Sequence, residues 1–128
     1  MNTQEQIAKA IALDVQKPML GNVDMAEAME LIKDVGAVLL DVRPPAKVTG
    51  DNAVEANIPN AYYMAYPAFA ENFDLLPEDK DTVIVVACLK GWFANRIMGY
   101  LEVLGYKNVY VLGGNIEDLI AAHESHTK

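Results

Sequence analysis

The chain holds a single cysteine, Cys88, and its surroundings are those of a reactive thiol. The β-branched run Val83-Ile84-Val85-Val86-Ala87 leads into Cys88-Leu89-Lys90-Gly91, and a helical pattern follows at once. That order sets one thiol at a strand end and over a helix N-terminus, where unpaired backbone N–H groups and the positive end of the dipole meet it. Both favour thiolate, the nucleophilic form. Gly91 allows a tight bend. Lys90 adds a positive charge expected to lower the thiol pKa and to attract an anionic donor. The chemistry predicted is nucleophilic attack by Cys88, the resulting anion being held by loop amides without any side-chain acid. The plain alternative is a small hydrophobe closing a core strand.

The elements that must position this thiol alternate between strand and helix. Residues 4–16 carry Ile7, Ile11 and Val15 at helical spacing, ahead of Pro18. Met19–Val23 reads as a short strand. Asp24 caps a second helix, with Glu27 three residues on, Met25, Met29 and Ile32 on one face, and Gly36 as its stop. Ala37–Val42 is nearly all apolar, as strands covered on both faces are. Arg43 to Asn57 is irregular, with Pro44, Pro45 and Gly50 as turn formers. Ile58–Met64 reads as strand or bend, and Ala65–Phe73 as a short helix. After Cys88, the stripe Phe93, Ile97, Leu101 and Leu104 marks a helix ending at Gly105. Asn108–Leu112 is the last strand, and Gly113-Gly114 turns into a final helix with Ile116, Leu119 and Ile120. This pattern predicts an α/β domain, a parallel sheet with helices on both faces. In such sheets sites form beyond the carboxyl ends of strands, where Asp41 and Cys88 both fall.

Composition removes other classes. With 128 residues, 52% hydrophobic and 22% charged, the chain fits one ordinary globular domain. Net charge is −8, from 18 acidic and 10 basic residues, with no run of Lys/Arg, which argues against nucleic acid. Apolar stretches are too short for a membrane span, and no secretory signal is visible at the N-terminus. One free thiol suits a reducing cytoplasm. His123 and His126 stand three apart with no third ligand nearby, so no metal is expected. Gly113-Gly114 lacks the rest of a phosphate-binding pattern. No cofactor is called for.

Four segments, in order, resemble the rhodanese family of sulfurtransferases, from about Asp24 to Ala122. They are Leu40-Asp41-Val42-Arg43, Asn57-Ile58-Pro59-Asn60-Ala61, Cys88-Leu89-Lys90-Gly91 and the run from Gly105 to Gly114. The resemblance implies a five-stranded parallel sheet flanked by helices, with residues 1–17 as an added N-terminal helix and 18–128 as the domain. It also implies a catalytic Cys88 carrying sulfur as a persulfide. Leu89, Lys90, Gly91, Trp92, Phe93 and Ala94 become the loop that meets substrate. Asp41 and Arg43 become supports for that loop or for its bound anion. Asn57 stands where the family has a histidine.

Departures from the family pattern refine the expectation. Many family loops carry Arg five residues after the cysteine, where this chain has Phe93; Leu89 stands where the thiosulfate-using branch has Arg. Thiosulfate, a small dianion, is best served by two cations, and only Lys90 is adjacent. The expected donors are therefore polysulfide or persulfides, and the expected partner a small sulfur compound or a thiol carrier protein. A non-catalytic binding module is the alternative. A thiolate phosphatase or arsenate reductase would need an Arg at the loop end. Trp92 is off the buried stripe and suits a pocket rim or partner contact, while Arg96 reads as a helix-surface residue. The N-terminal helix is expected to pack on the domain or to mediate a homodimer.

Overall fold

A computed structural model of the chain describes residues 2–127, with side chains through Glu124. His126 therefore lies outside the described side chains. The strands are β1 (Asn22–Val23), β2 (Val38–Asp41), β3 (Ala61–Tyr63), β4 (Ile84–Ala87) and β5 (Val109–Leu112). They form one parallel sheet in the order β1-β5-β4-β2-β3. The helices are α1 (Thr3–Gln16), α2 (Met25–Glu30, continued as a wider turn to Val35), α3 (Trp92–Val103) and α4 (Ile116–Thr127).

The central strands alternate between two cores. Leu40, Val42, Ile84, Val86, Cys88, Val109 and Val111 pack with α3 residues Ala94, Ile97, Met98 and Leu101. Leu39, Val85, Ala87 and Leu112 pack on the opposite face with Ala28 and Ile32, and with Ile116 and Leu119 of α4. Both faces are covered, which explains why these strands read as continuous apolar runs. Cys88 falls on the α3 side.

Local expectations hold in detail at α2. The Asp24 side chain accepts from the Glu27 N–H at 2.8 Å, and Gly36 stops the helix at φ +76°. The segment 19–23 differs from expectation. Only Asn22 and Val23 pair with β5; Met19 and Leu20 adopt left-handed conformations at φ 54° and 55°. Such conformations cost non-glycine residues roughly 1–2 kcal/mol each, so they cannot extend a strand. Ala65–Phe73 becomes a 3-10 segment over Tyr66–Leu75.

The N-terminal helix forms as expected and turns its apolar stripe outward. α1 meets the domain through Ala10 and through Lys17, whose ammonium reaches Glu102 at 3.1 Å and the Val109 carbonyl at 2.7 Å. Ile7, Ile11 and Val15 stay 46, 56 and 71% exposed, so this stripe does not pack on the domain.

Candidate active site

β4 ends at Ala87 and releases Cys88 beyond the carboxyl edge of the sheet. Two bonds fix its orientation. The Cys88 carbonyl accepts from the Ile116 N–H at 2.9 Å, tying the loop to the start of α4. The Gly91 N–H points at Cys88 Sγ, 3.1 Å away. Gly91 reaches that position at φ +83°, and a Cβ there would come 3.4 Å from Asn95 Nδ2. An L side chain would therefore strain the one amide that contacts the sulfur. α3 begins at Trp92 without a side-chain cap. Its first-turn N–H groups thus lack both capping and intrahelical acceptors, a setting that suits a bound anion.

Cys88, only 1% exposed, helps line a pocket of about 300 Å³. Arg43, Pro44, Lys47, Leu89, Lys90, Trp92 and Phe93 complete its lining. Access to the sulfur thus runs between a mostly apolar wall and the stems of two lysines. Lys90 is exposed, with its ammonium 5.6 Å from the Trp92 ring centroid, and makes no hydrogen bond to Sγ among the described residues. Its long stem lets the charge settle on the indole face, so it acts at the rim. Phe93, on the pocket wall, meets Tyr66 behind it in a tilted ring contact with centroids 5.0 Å apart. Ala94 is fully buried and belongs to the core under the loop. The fold thus gathers Cys88, Leu89, Lys90, Trp92 and Phe93 at one opening, with Gly91 beneath the sulfur and Ala94 turned away.

Asp41 and Arg43 form a buried pair, not a free anion site. Asp41 accepts from Arg43 Nε at 2.9 Å and Nη2 at 2.7 Å, and also from the backbone N–H groups of Arg43 at 3.3 Å and Ala53 at 3.1 Å. Burial by itself would lower the guanidinium's pKa; the hydrogen bond and charge of Asp41 outweigh it and hold it above the ordinary value. The Tyr63 hydroxyl donates to the Arg43 carbonyl at 2.8 Å. Burial, and then the charge of Asp41, raise that phenol above its ordinary value. The pair therefore pins the segment from Arg43 to Ala53 against the sheet. That pinning brings Pro44 and Lys47 to the pocket.

Lys47 and Pro44 escape sequence reasoning because their segment has no periodicity. Asn95 escapes too, though its spacing of four from Gly91 is a usable signal for a side chain bonding back to a carbonyl. It donates to the Gly91 carbonyl at 2.7 Å and exchanges a reciprocal pair of bonds with Asn22 at 3.0 and 3.1 Å. Asn57, in place of the family's histidine, takes φ +62°, a conformation Asn tolerates well. No cluster of three or more metal-ligating side chains exists among the described residues. None of the described helices is long and apolar enough to cross a membrane.

Comparisons with known proteins agree with this geometry. Thiosulfate sulfurtransferase GlpE of Coxiella burnetii (strain RSA 493 / Nine Mile phase I) is 30% identical over 105 residues, covering 82% of this chain and 92% of that protein. GlpE of Pseudomonas syringae pv. syringae (strain B728a) is 32% identical over 93 residues, covering 71% and 79%. Among solved structures, a rhodanese-related protein from Thermoplasma volcanium matches with TM-score 0.59 and 24% identity, covering 79% of this chain and 91% of that one. The polysulfide-sulfur transferase homodimer of Wolinella succinogenes matches with TM-score 0.59 and 19% identity, over 94% and 85%. These two likenesses show the fold. The profile of the Rhodanese-like domain matches residues 24–122, from the cap of α2 into α4, and this chain belongs to that family.

Proposed function

We propose that the protein is a sulfurtransferase in which Cys88 carries sulfane sulfur as a persulfide, taking it from polysulfide or a thiol persulfide in preference to thiosulfate. The observation that carries this reading is Sγ recessed in a pocket, met by the Gly91 amide and by an uncapped helix start. In the first step the Cys88 thiolate attacks a sulfur of the polysulfide dianion. A new S–S bond forms, one S–S bond of the donor breaks, and the donor leaves one sulfur shorter with both its negative charges. The persulfide inherits the single negative charge of the thiolate. In the second step an acceptor thiolate or cyanide attacks the outer sulfur and Cys88 departs as thiolate. No external oxidant or reductant enters.

The donor preference rests on shape and charge. A slender sulfur chain brings a single diffuse sulfur charge to the recessed thiolate between Leu89, Trp92 and Phe93, where the Gly91 amide and the start of α3 can hold it. The sulfonate end of thiosulfate requires cationic donors close to the sulfur. Arg43 is already neutralised by Asp41, and Lys90 rests on Trp92. GlpE relatives are named for thiosulfate, so donor choice is the discriminating measurement. Steady-state rates with both donors, for wild type and Cys88→Ser, should show polysulfide ahead and no transfer by the variant; a clear thiosulfate preference overturns the donor assignment. Partner binding that survives Cys88→Ser, with no transfer by the wild type, would instead mark a non-catalytic binding module.

We further assign residues 1–17 as an extension to the domain, and the exposed Ile7-Ile11-Val15 stripe as its self-association surface. The Wolinella homodimer, whose match covers 94% of this chain, and the exposure of the stripe support that reading. A free, unpaired cysteine supports a reducing, cytoplasmic setting.

A further inference from the structure

Trp92 at the Cys88 pocket, and Met19 and Leu20 on the turn packed against α3, are apolar side chains that contribute nothing to the core. Met19 is 80% exposed, Leu20 57% and Trp92 74%. Met19 and Leu20 are held outward on consecutive left-handed residues, a conformation that side chains other than Asn and Asp seldom adopt. The surrounding structure enforces it. A Cβ on Gly21 would come 3.1 Å from Met98 Sδ, so this turn lies hard against α3. The Asn22 side-chain amide donates both to the Met19 carbonyl at 3.2 Å and to Asn95 Oδ1 at 3.0 Å. Met19 and Leu20 are thereby fixed beside the first turns of α3, whose exposed residues there are Trp92, Asn95 and Arg96. Strain and exposed apolar surface coincide next to a reactive pocket, where they mark function more often than packing.

Charge follows the same boundary. None of the chain's 18 acidic residues falls within 15–23, 42–50 or 82–101, the segments that carry Met19 and Leu20, the Arg43–Lys47 wall and the Cys88 loop with α3. The carboxylate facing this side from α4 is Glu117, which accepts from Thr49 at 3.1 Å and acts on the paired Arg43. The ion pairs among the described residues use Lys17, Arg43 and Lys107, which leaves Lys47, Lys90 and Arg96 without one. A strongly acidic chain thus keeps unpaired cations and exposed apolar side chains together on the Lys47, Lys90 and α3 side of its thiol pocket. Trp and Arg are the residue types that dominate interface energetics, and local cations select an acidic counterpart.

We propose that Met19, Leu20, Trp92 and Arg96, together with Lys47 and Lys90, form a docking surface for an acidic, cysteine-bearing segment of a partner protein that exchanges sulfur with Cys88. This rests on the persulfide reading above. The partner's thiolate attacks the outer sulfur of the Cys88 persulfide; the bond to Cys88 breaks, Cys88 leaves as thiolate, and the partner carries away the persulfide anion. Small thiols need only the pocket, whereas a protein thiol also meets the rim.

The test uses the persulfidated full-length protein and three synthetic peptides of equal length, each with one cysteine flanked by Glu/Asp, Ser/Gln or Lys. Dithiothreitol serves as the small acceptor. Transfer to dithiothreitol establishes the persulfide itself, so its absence condemns the underlying reading and not the surface. The net charge of −8 taken alone ranks the lysine peptide first. The docking surface ranks the acidic peptide first, by tenfold or more in kcat/KM at low salt, with the advantage shrinking as salt screens the rim. Arg96→Glu should abolish that advantage, and Met19→Asn with Leu20→Asn should lower transfer to every peptide several-fold. Transfer to dithiothreitol stays unchanged in both variants. Asn tolerates the left-handed conformation, and Arg96→Glu carries the test by itself should the double variant fold poorly. A lysine peptide equal to or faster than the acidic one, or variants that alter dithiothreitol and peptide transfer alike, would overturn the proposal.

Discussion

Replacing Asp41 with Asn tests how the site is held together. The substitution keeps size and one acceptor oxygen but puts an NH2 group either at Oδ2, against Arg43 Nη2 at 2.7 Å and the Ala53 N–H at 3.1 Å, or at Oδ1, against Arg43 Nε at 2.9 Å and the Arg43 N–H at 3.3 Å. A donor then faces a donor, and a fully buried guanidinium loses its countercharge. Breaking one side of such a pair costs about 3–5 kcal/mol, out of roughly 5–15 kcal/mol for a domain. With a urea m-value of about 2 kcal/mol/M, the unfolding midpoint should fall by roughly 2 M. The double change Asp41→Asn with Arg43→Met removes the stranded charge as well and should recover about 2 kcal/mol of that loss. Polysulfide kinetics should move in parallel. A loosened Arg43–Ala53 segment no longer holds Pro44 and Lys47 at the pocket, so KM rises several-fold while kcat changes little. Urea titrations of wild type, Asp41→Asn, Arg43→Met and the double variant, with kinetics on each, decide it. A cost below about 1 kcal/mol for Asp41→Asn, or a double variant as unstable as the sum of the singles, would refute the reasoning.

Other expectations follow from single residues. Gly91→Ala forces a Cβ onto φ +83° and should cost about 1–2 kcal/mol while slowing persulfide formation, read by thermal unfolding and by sulfur-transfer rates. Phe93→Arg supplies a charge-assisted donor at the pocket wall, so kcat/KM for thiosulfate should rise about tenfold, with polysulfide affected less. Burial, and then the hydrogen bond with Asp14, raises the Glu102 carboxyl to about 7 despite Lys17. Because the folded state holds this proton more tightly than the unfolded one, stability should fall as pH rises from about 4.5 to 7, by at most about 3 kcal/mol, and then level off. Glu102→Gln should flatten that stretch of the Tm profile; an unchanged slope would show that another group is responsible.

The residues that sequence made legible are those whose roles are local. Asp24 capping, Gly36 and Gly91 turning, and the run into Cys88 each follow from neighbours a few positions away, and the structure realises them. The apolar strands announce a doubly covered sheet for the same reason. What stayed hidden depends on distant partners. Lys47 reaches the pocket only because Asp41 holds Arg43 and the Ala53 amide, and nothing in the irregular segment encodes that contact. The Ile7-Ile11-Val15 stripe is legible as a helix face but not as an outward one, because the side of α1 that meets the domain does so through Ala10 and the adjoining Lys17–Glu102 ion pair, and an ion pair leaves no hydrophobic period. The Lys90 ammonium stands 5.6 Å from the Trp92 ring centroid, a contact two residues along the loop that no periodicity announces.

The most direct measurement is intact mass of the full-length protein after brief exposure to polysulfide, followed by peptide mapping with a persulfide-trapping alkylator. The account predicts a gain of one sulfur atom, located at Cys88, removed by cyanide and absent from Cys88→Ser. An unmodified wild type, or an identical gain in Cys88→Ser, would contradict it.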